Sequence, residues 1–458
     1  MQKMKANLDS CLRLTIPIDI IRSLETSPGE YARIELRKDS ITDYMYFRVP
    51  SKPPSRKILQ VRRKLSNKVI HNLKLMPNDT LEITGVAKIE KRNSVDCITS
   101  SKFDLLSLRL ENVMIESFHK NDEEWCRFWS SSKNGGLSNV VELKRYIPIS
   151  LETGEFFGLM QAESRKVIGK FEFTNTLIDT HIQFIDIAEK LGISRNSWSV
   201  GLICRKASSK INIDFYKERF LRETKLSKIN YKTESKTLLS AAYQIYISSS
   251  ILNRIMNGTL VILRKRIIDE LNKGNNKNYQ DFYKGFIIKY LLGDGTITFP
   301  SKSNAQVILT EANAESRRDF QSMLRLFSIN SCQQGIKIYI STNFGSLMWF
   351  LENNLFIGHT NNRKKLLDYI LRNYFFRITY NRLLKVNNTA INEYAELLGL
   401  SYNTATMSLH RYKKRGFLDS KKIDGKTMFF LTKKGHKFIE LMKQAEIEFS
   451  SFDIPQRT

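Results

Sequence analysis

The sequence predicts an α+β protein: a duplicated core with pseudo-two-fold symmetry, a small β-rich N-terminal domain and a C-terminal winged helix. Three observations lead there: two internal repeats, two apolar helices that each end on an acid, and a helix-turn-helix pattern followed by a hairpin signal. Lys and Arg number 73 against 46 Asp and Glu, a net charge of +27 at an ordinary charged fraction of 26%. A skewed sign ratio of this size favours a polyanionic partner such as nucleic acid or an anionic membrane surface. There is no run of about 18 apolar residues, and Met1–Ser10 has no apolar signal-peptide core, so no membrane partner and a soluble, cytoplasmic location are expected. Cys11, Cys97, Cys126, Cys204 and Cys332 have no metal-ligand spacing, which excludes a zinc motif or disulfide framework. No phosphate-cradling Gly-rich loop or Ser/His/Asp nucleophile pattern appears, and no small-molecule substrate is expected.

In chain order, residues 1–95 come first. Leu12–Leu36 repeats at an offset of 49 as Val61–Ile83, matching Ile16/Leu65, Ile20/Val69, Leu24/Leu73, Pro28/Pro77 and Ile34/Ile83. Each copy has the pattern of strand, short helix, proline turn and strand, with Pro28-Gly29 supplying a fixed φ followed by a permissive residue. The pattern resembles the AbrB-like swapped-hairpin domains, with both half-units in one chain. Residues 96–145 form a connector of unassigned fold, with Ser130–Gly136 as a flexible turn.

The longer repeat defines two halves, 146–277 and 278–378. Phe171–Ser194 aligns with Val307–Asn330 at an offset of 136, bringing together Thr174/Thr310, Phe184/Phe320 and Ile193/Ile329. Ile245–Ser248 recurs as Ile338–Ser341 at an offset of only 93, so the first copy carries an insertion that includes the basic stretch Lys210–Lys236. A duplication of this kind pairs naturally with the approximate two-fold symmetry of a duplex.

Before each aligned strand stands a helix ending on an acid, Glu163 within Glu152–Ser164 and Asp294 within Phe282–Gly295. A carboxylate at a helix C-terminus meets an unfavourable dipole and orphan carbonyls, which asks for a compensating cation. Packed side by side, the helices would offer Glu163 and Asp294, with the carbonyls of Ala162 and Gly293, as an oxygen-rich site suited to Mg²⁺.

These segments resemble the paired signature helices of the LAGLIDADG homing endonucleases. Phe156–Ser164 fits the nine positions with Gly158 third and Glu163 eighth, and Ile287–Gly295 fits with Asp294 eighth. With Tyr146–Ser150, the Phe171–Asn175 strand and the two Ile-Tyr-Ile-Ser strands, the similarity spans about residues 135–375. The resemblance implies a duplicated αββαββα core in one monomeric chain whose sheets grip the major groove. It implies a site-specific, Mg²⁺-dependent double-strand DNA endonuclease, with Glu163 and Asp294 as metal-binding acids. Asn175 and Glu311 would then lie near the metal's water network. Arg264, Lys265, Arg363 and Lys364 would face phosphate, either to stabilise the transition state or as ordinary contacts. Two positions depart from the pattern: Lys289 is third in the second helix and Ser164 ninth in the first. A lysine in a tight helix seam must snorkel out or pair with an acid, or else the helices cross differently. The alternative function is a DNA-binding transcription regulator built on a degenerate endonuclease fold. An RNA-binding splicing cofactor is disfavoured by the DNA-type flanking domains.

Residues 379–458 carry the winged helix. Helices are expected at Ile391–Leu398 and, after Ser401 as N-cap, at Tyr402–Lys414. Asp424-Gly425 joins two strands, and Thr432 caps a last helix, Lys433–Lys443. Ala405, Leu409 and Tyr412 should face the core. Tyr402, Asn403, Thr406, Ser408, His410, Arg411, Lys413 and Lys414, with Lys422 and Lys426 on the wing, are left for groove and phosphate.

Overall fold

The computed structural model describes residues 4–17, 31–48, 60–65, 67–88, 101–111, 113–130, 140–164, 169–205, 213–227, 229–235, 242–273, 276–301 and 304–452. They form a mixed α+β protein whose chain divides into two compact units, residues 1–153 with 164–263, and residues 154–163 with 264–458.

The first unit opens with β1 (Met4–Asn7), β2 (Arg13–Pro17), β3 (Tyr31–Lys38), β4 (Ile41–Arg48), β5 (Gln60–Lys64), α1 (Asn67–Asn72) and β6 (Thr80–Lys88). Matching strands of the short repeat pair with each other: Ile16 of β2 faces Val61 of β5, and Leu36 of β3 faces Ile83 of β6. The matched apolar positions Ile16, Leu65, Val69, Leu73, Ile34 and Ile83 all lie in one buried cluster. Ile20, Leu24 and the Pro28-Gly29 turn lie outside the described residues. The connector, left without a fold by its sequence, is a β-structure. β7 (Lys102–Asp104) pairs with β11 (Tyr146–Pro148), and β8 (Val113–Lys120), β9 (Glu123–Ser130) and β10 (Val141–Lys144) form an antiparallel sheet. Arg145 fastens the two sheets through Asp104 and Glu124. Beyond Ser130, which closes β9, the expected turn lies outside the described residues.

After α2 (Leu151–Glu163) come β12 (Phe171–Asn175), α3 (Ile178–Lys190), β13 (Ser199–Arg205), α4 (Ile213–Thr224), β14 (Ile229–Ser235), β15 (Ala242–Ile247) and α5 (Ser250–Lys273). The strands are ordered β12-β15-β13-β14, and β14 runs parallel to β13, so the insertion inferred from the repeat offset is seen as α4 and an added edge strand.

The second unit continues with α6 (Lys277–Asp294), β16 (Gly295–Ser301), β17 (Asn304–Thr310), α7 (Ala314–Leu326), β18 (Ser331–Gln334), β19 (Lys337–Ile340) and α8 (Phe344–Glu352). This is helix, two strands, helix, two strands, helix, with an antiparallel sheet ordered β16-β17-β19-β18. Phe173 faces Ile245 in the first sheet, and Leu309 faces Ile338 in the second, which are the same pairs under the two sequence offsets.

Next come α9 (Thr360–Arg372), α10 (Tyr374–Leu383), β20 (Thr389–Ala390), α11 (Ile391–Leu398), α12 (Tyr402–Lys414), β21 (Leu418–Ile423), β22 (Lys426–Leu431) and α13 (Lys433–Ser451). The winged-helix elements fall where expected. Gly399 turns between α11 and α12 at φ 61°, and Asp424-Gly425 turns the hairpin with both residues at positive φ, as a type I′ connection needs. Two boundaries differ. α13 runs past the expected Lys443 to Ser451, with Ala445 continuing the buried stripe of Phe438, Ile439 and Met442, and α10 spans the expected domain boundary at 379.

Candidate functional site

Within the second unit, α2 and α6 meet along a glycine seam. Gly154, Gly158 and Ala162 repeat every four residues on one face of α2. A Cβ on Gly154 would fall 1.9 Å from the Phe282 carbonyl oxygen, and one on Gly158 would fall 2.5 Å from that of Phe286. At the far end the roles reverse: a Cβ on Gly293 of α6 would lie 2.5 Å from Ala162 Cβ and 3.1 Å from Glu163 Oε1. The seam therefore closes with Glu163 lying across from the residue before Asp294, and each helix ends on its acid.

Lys289 sits in this seam, its Cβ opposite Gly158, where a side chain on the facing helix would clash. The half-buried ammonium is destabilised by desolvation, which lowers its pKa, while Glu155 one turn away on α2 favours the charge. Glycine on one helix thus accommodates the lysine stem of the other, and the departure from the signature is absorbed without separating the helices.

Asp294 is exposed. Desolvation, followed by the negative charge of Glu311, pushes its carboxyl up to about 7, and both causes act in the same direction. Glu311 is itself buried, 6% exposed, and fully engaged. Its Oε1 accepts from the Asn313 N–H at 2.7 Å; its Oε2 accepts from Gln161 Nε2 at 2.8 Å and from the Tyr290 hydroxyl. Burial, then this hydrogen bond, drives the Tyr290 pKa far up, so the phenol remains a donor. Gln161 in turn accepts from Arg264 Nη1 at 3.1 Å, and Arg264 also donates to Ser316 Oγ at 2.7 Å and lies 3.7 Å from Asp319. Glu311 is thus an electrostatic neighbour of Asp294, and Glu163 lies against Gly293 at the same end of the seam. The chain of Tyr290, Gln161 and Arg264 was not foreseen, although Gln161 is the one polar side chain between Phe156 and Ala162.

The other candidates are placed differently. Asn175 lies in the first unit, where its Oδ1 accepts the Leu177 N–H at 2.8 Å. Lys265 is exposed and paired with Glu315 at 3.1 Å. Lys364 lies 5.9 Å from the Phe449 ring centroid. Arg264 and Arg363 are buried in polar networks, Arg363 against Glu448, so their guanidinium groups hold the protein together. His359 Nδ1 caps α9.

Hard divalent cations take carboxylate and carbonyl oxygens, and the seam end supplies both: Glu163, Asp294 and the carbonyls of the last helical turns at Ala162 and Gly293. The partial desolvation and the neighbouring negative charge that raise Asp294 fit such a cation. Among the described residues no three His, Cys, Asp or Glu side chains gather as a ligand cluster.

On α12, Tyr402, Asn403, Met407, His410, Arg411 and Lys414 are exposed along one face, and Lys422 and Lys426 are exposed on the wing. Ala405, Leu409 and Tyr412 are buried. Ser408 is buried as well, accepting from Arg382 Nη1 at 2.9 Å, which corrects its expected outward position. Thr406 is half-buried with its hydroxyl turned onto the Tyr402 carbonyl, and Lys413 reaches Ser420 at 2.7 Å on the wing strand.

No family model matches the chain, and no curated protein does. Among solved structures, the chain is similar to a point mutant of S. aureus MepR bound to oligodeoxyribonucleotide, at 16% identity and a TM-score of 0.19, over 23% of this chain and 84% of that one. Among the described residues no helix is long and apolar enough to cross a membrane.

Proposed function

We propose that the protein is a divalent-metal-dependent endonuclease of the LAGLIDADG homing type, cutting double-stranded DNA at a specific site. The observation that carries this reading is the seam: two helices in backbone contact, each ending on an acid, with the buried Glu311 carboxylate acting on Asp294. A duplicated core is supported by the equal strand registers at the repeat offsets. DNA as the substrate is supported by the charge of +27 and by the outward face of β16, β17 and β19. That face carries Thr296, Thr298, Gln306, Thr310, Lys337 and Tyr339, hydrogen-bonding groups suited to base edges.

In this reading Glu163, Asp294 and the adjoining carbonyls hold Mg²⁺, which when bound stabilises phosphoryl charge and makes water a nucleophile near neutral pH. Asp294 must give up its proton to serve as a ligand. Glu311, pinned by Tyr290, Gln161 and the Asn313 N–H, cannot swing away and keeps the site negative. The test is scission of a duplex carrying the selected site in Mg²⁺, with 3′ overhangs expected. Undiminished cutting by Glu163→Gln or Asp294→Asn would remove the site assignment.

A second reading, a DNA-binding regulator, is favoured by one observation: the exposed face of α12 and its wing is complete without the acids. A footprint with no strand scission in any divalent ion would establish it.

A further inference from the structure

The winged helix is not tethered to the second half by a free linker. Two adjacent residues of α9 brace it from both sides: buried Asn362 donates to the Gly295 carbonyl at 3.1 Å, one residue past Asp294, and buried Arg363 holds Glu448 of α13 through two bonds of 2.8 and 2.7 Å. Arg363 also donates to the Leu355 carbonyl at 3.0 Å. Alongside this brace, Phe344 of α8 packs on Phe376 of α10 with centroids 4.5 Å apart, and on Phe417 and Phe438 of the winged helix at 5.8 Å each. The three partners are at most 1% exposed. Arg382 of α10 reaches the buried face of α12 at Ser408. An apolar cluster crossed by a bidentate ion pair, its guanidinium buried and its carboxylate half-buried, resists hinge motion, since opening it would strand the Arg363 guanidinium.

We infer that the outward face of the β16–β19 sheet and the exposed face of α12 form one rigid DNA-reading unit, with α9 as its strut. The target must then present two recognition segments at one fixed separation and helical phase. This rests on the reading that both faces bind DNA. A flexibly linked pair of domains would tolerate spacing changes, whereas a rigid pair loses the second contact whenever geometry forbids simultaneous engagement.

The full chain would be used to select binders from a random-sequence duplex pool, and the selected duplex footprinted in Ca²⁺. The double variant Arg411→Ala/Lys414→Ala, both on the surface, identifies the segment under the winged helix by its lost protection. Insertions of about 5 bp and about 10 bp, half a turn and one turn, would then be placed between the segments. Both insertions should weaken binding on the order of 10²- to 10⁴-fold. Arg363→Met, which cuts the strut, should reduce that penalty at least about tenfold, with hydrogen exchange at α13 confirming that the fold persists. Tolerance of either insertion by the unaltered chain, or protection confined to one segment, overturns rigidity alone. Failure to select or protect any duplex overturns the DNA reading itself.

Discussion

The two repeat halves share a sheet register but fill equivalent positions with different chemistry. At the strand end, Asn175 Oδ1 and Glu311 Oε1 each accept the N–H two residues on, from Leu177 and Asn313. The turn is the same, but the longer glutamate has a second oxygen to spare, and that oxygen anchors Gln161 and Tyr290. One turn into the following helix, buried His181 stands where the second half has buried Arg317. Arg317 donates to the Glu311 and Ala312 carbonyls at 2.6 and 2.7 Å; the His181 ring lies 2.9 Å from the Leu177 carbonyl and 3.0 Å from that of Tyr243. Equal backbone tasks are therefore met by a cation near the candidate site and by an imidazole packed among Phe173, Phe220 and Tyr243 in the first half. The difference teaches that one strand register tolerates different side-chain chemistry: in the second half the strand-end acid Glu311 joins a network with Gln161, Tyr290 and Arg264.

The sharpest break in that asymmetry is expected at the acids. Asp294→Asn should lower scission on the order of 10³-fold, with binding in Ca²⁺ retained. Asn175→Ala, in the other half, should lose the turn bond and cut within about tenfold of the parent, the scale of one neutral hydrogen bond.

Next in size is the seam. Gly154→Ala places a methyl against the Phe282 carbonyl and should destabilise the second unit by about 3 kcal/mol. Gly345→Ala, whose Cβ would find only Asn343 Oδ1 at 3.5 Å, serves as the near-neutral control in chemical denaturation.

A titration separates the halves again. Burial outweighs the two carbonyl contacts and holds His181 down at about 4, against 6.5 when free. The neutral form is the folded one, so the stability it contributes is complete above pH 6.5 and is lost as pH falls towards 4. The loss is up to about 3 kcal/mol. Hydrogen exchange at β12 and β15 should accelerate across that window, and His181→Leu should flatten the dependence. The second half has no histidine at this position, and β17 and β19 should lack the effect.

The smallest change is expected on the winged helix, where Arg411→Ala should reduce the slope of log affinity against log salt by about 1. An unchanged slope would mean that this exposed face does not meet phosphate.

Much of the architecture was legible because it is written in local patterns. The offset of 136 anticipated the strand registers, and the drop to 93 anticipated the added α4 and β14. Ser401, Gly399, Asp424-Gly425 and Thr432 marked the winged helix because caps and turns depend on a few neighbouring residues. The ends of the two helices at Glu163 and Asp294 were legible for the same reason, since the end of an apolar helix is visible in one dimension. The connector escaped: its β7 and the β11 it pairs with are three residues each, and Arg145 with Asp104 joins residues 41 positions apart. Arg264 and Arg363 looked like phosphate ligands because composition cannot distinguish a buried cation from an exposed one.

By itself, then, the sequence determined the repeats, the acid-tipped helices, the charge and the helix-turn-helix, all set by periodicity and by residues within a turn of each other. Only the tertiary structure decided that Gly158 makes room for Lys289, that Gln161 and Tyr290 pin Glu311, and that Asn362 and Arg363 brace the winged helix. Those contacts join segments between 21 and 150 positions apart. Their free energy comes from burial and from pairing in a low-dielectric interior, which exists only once distant parts of the chain have packed together.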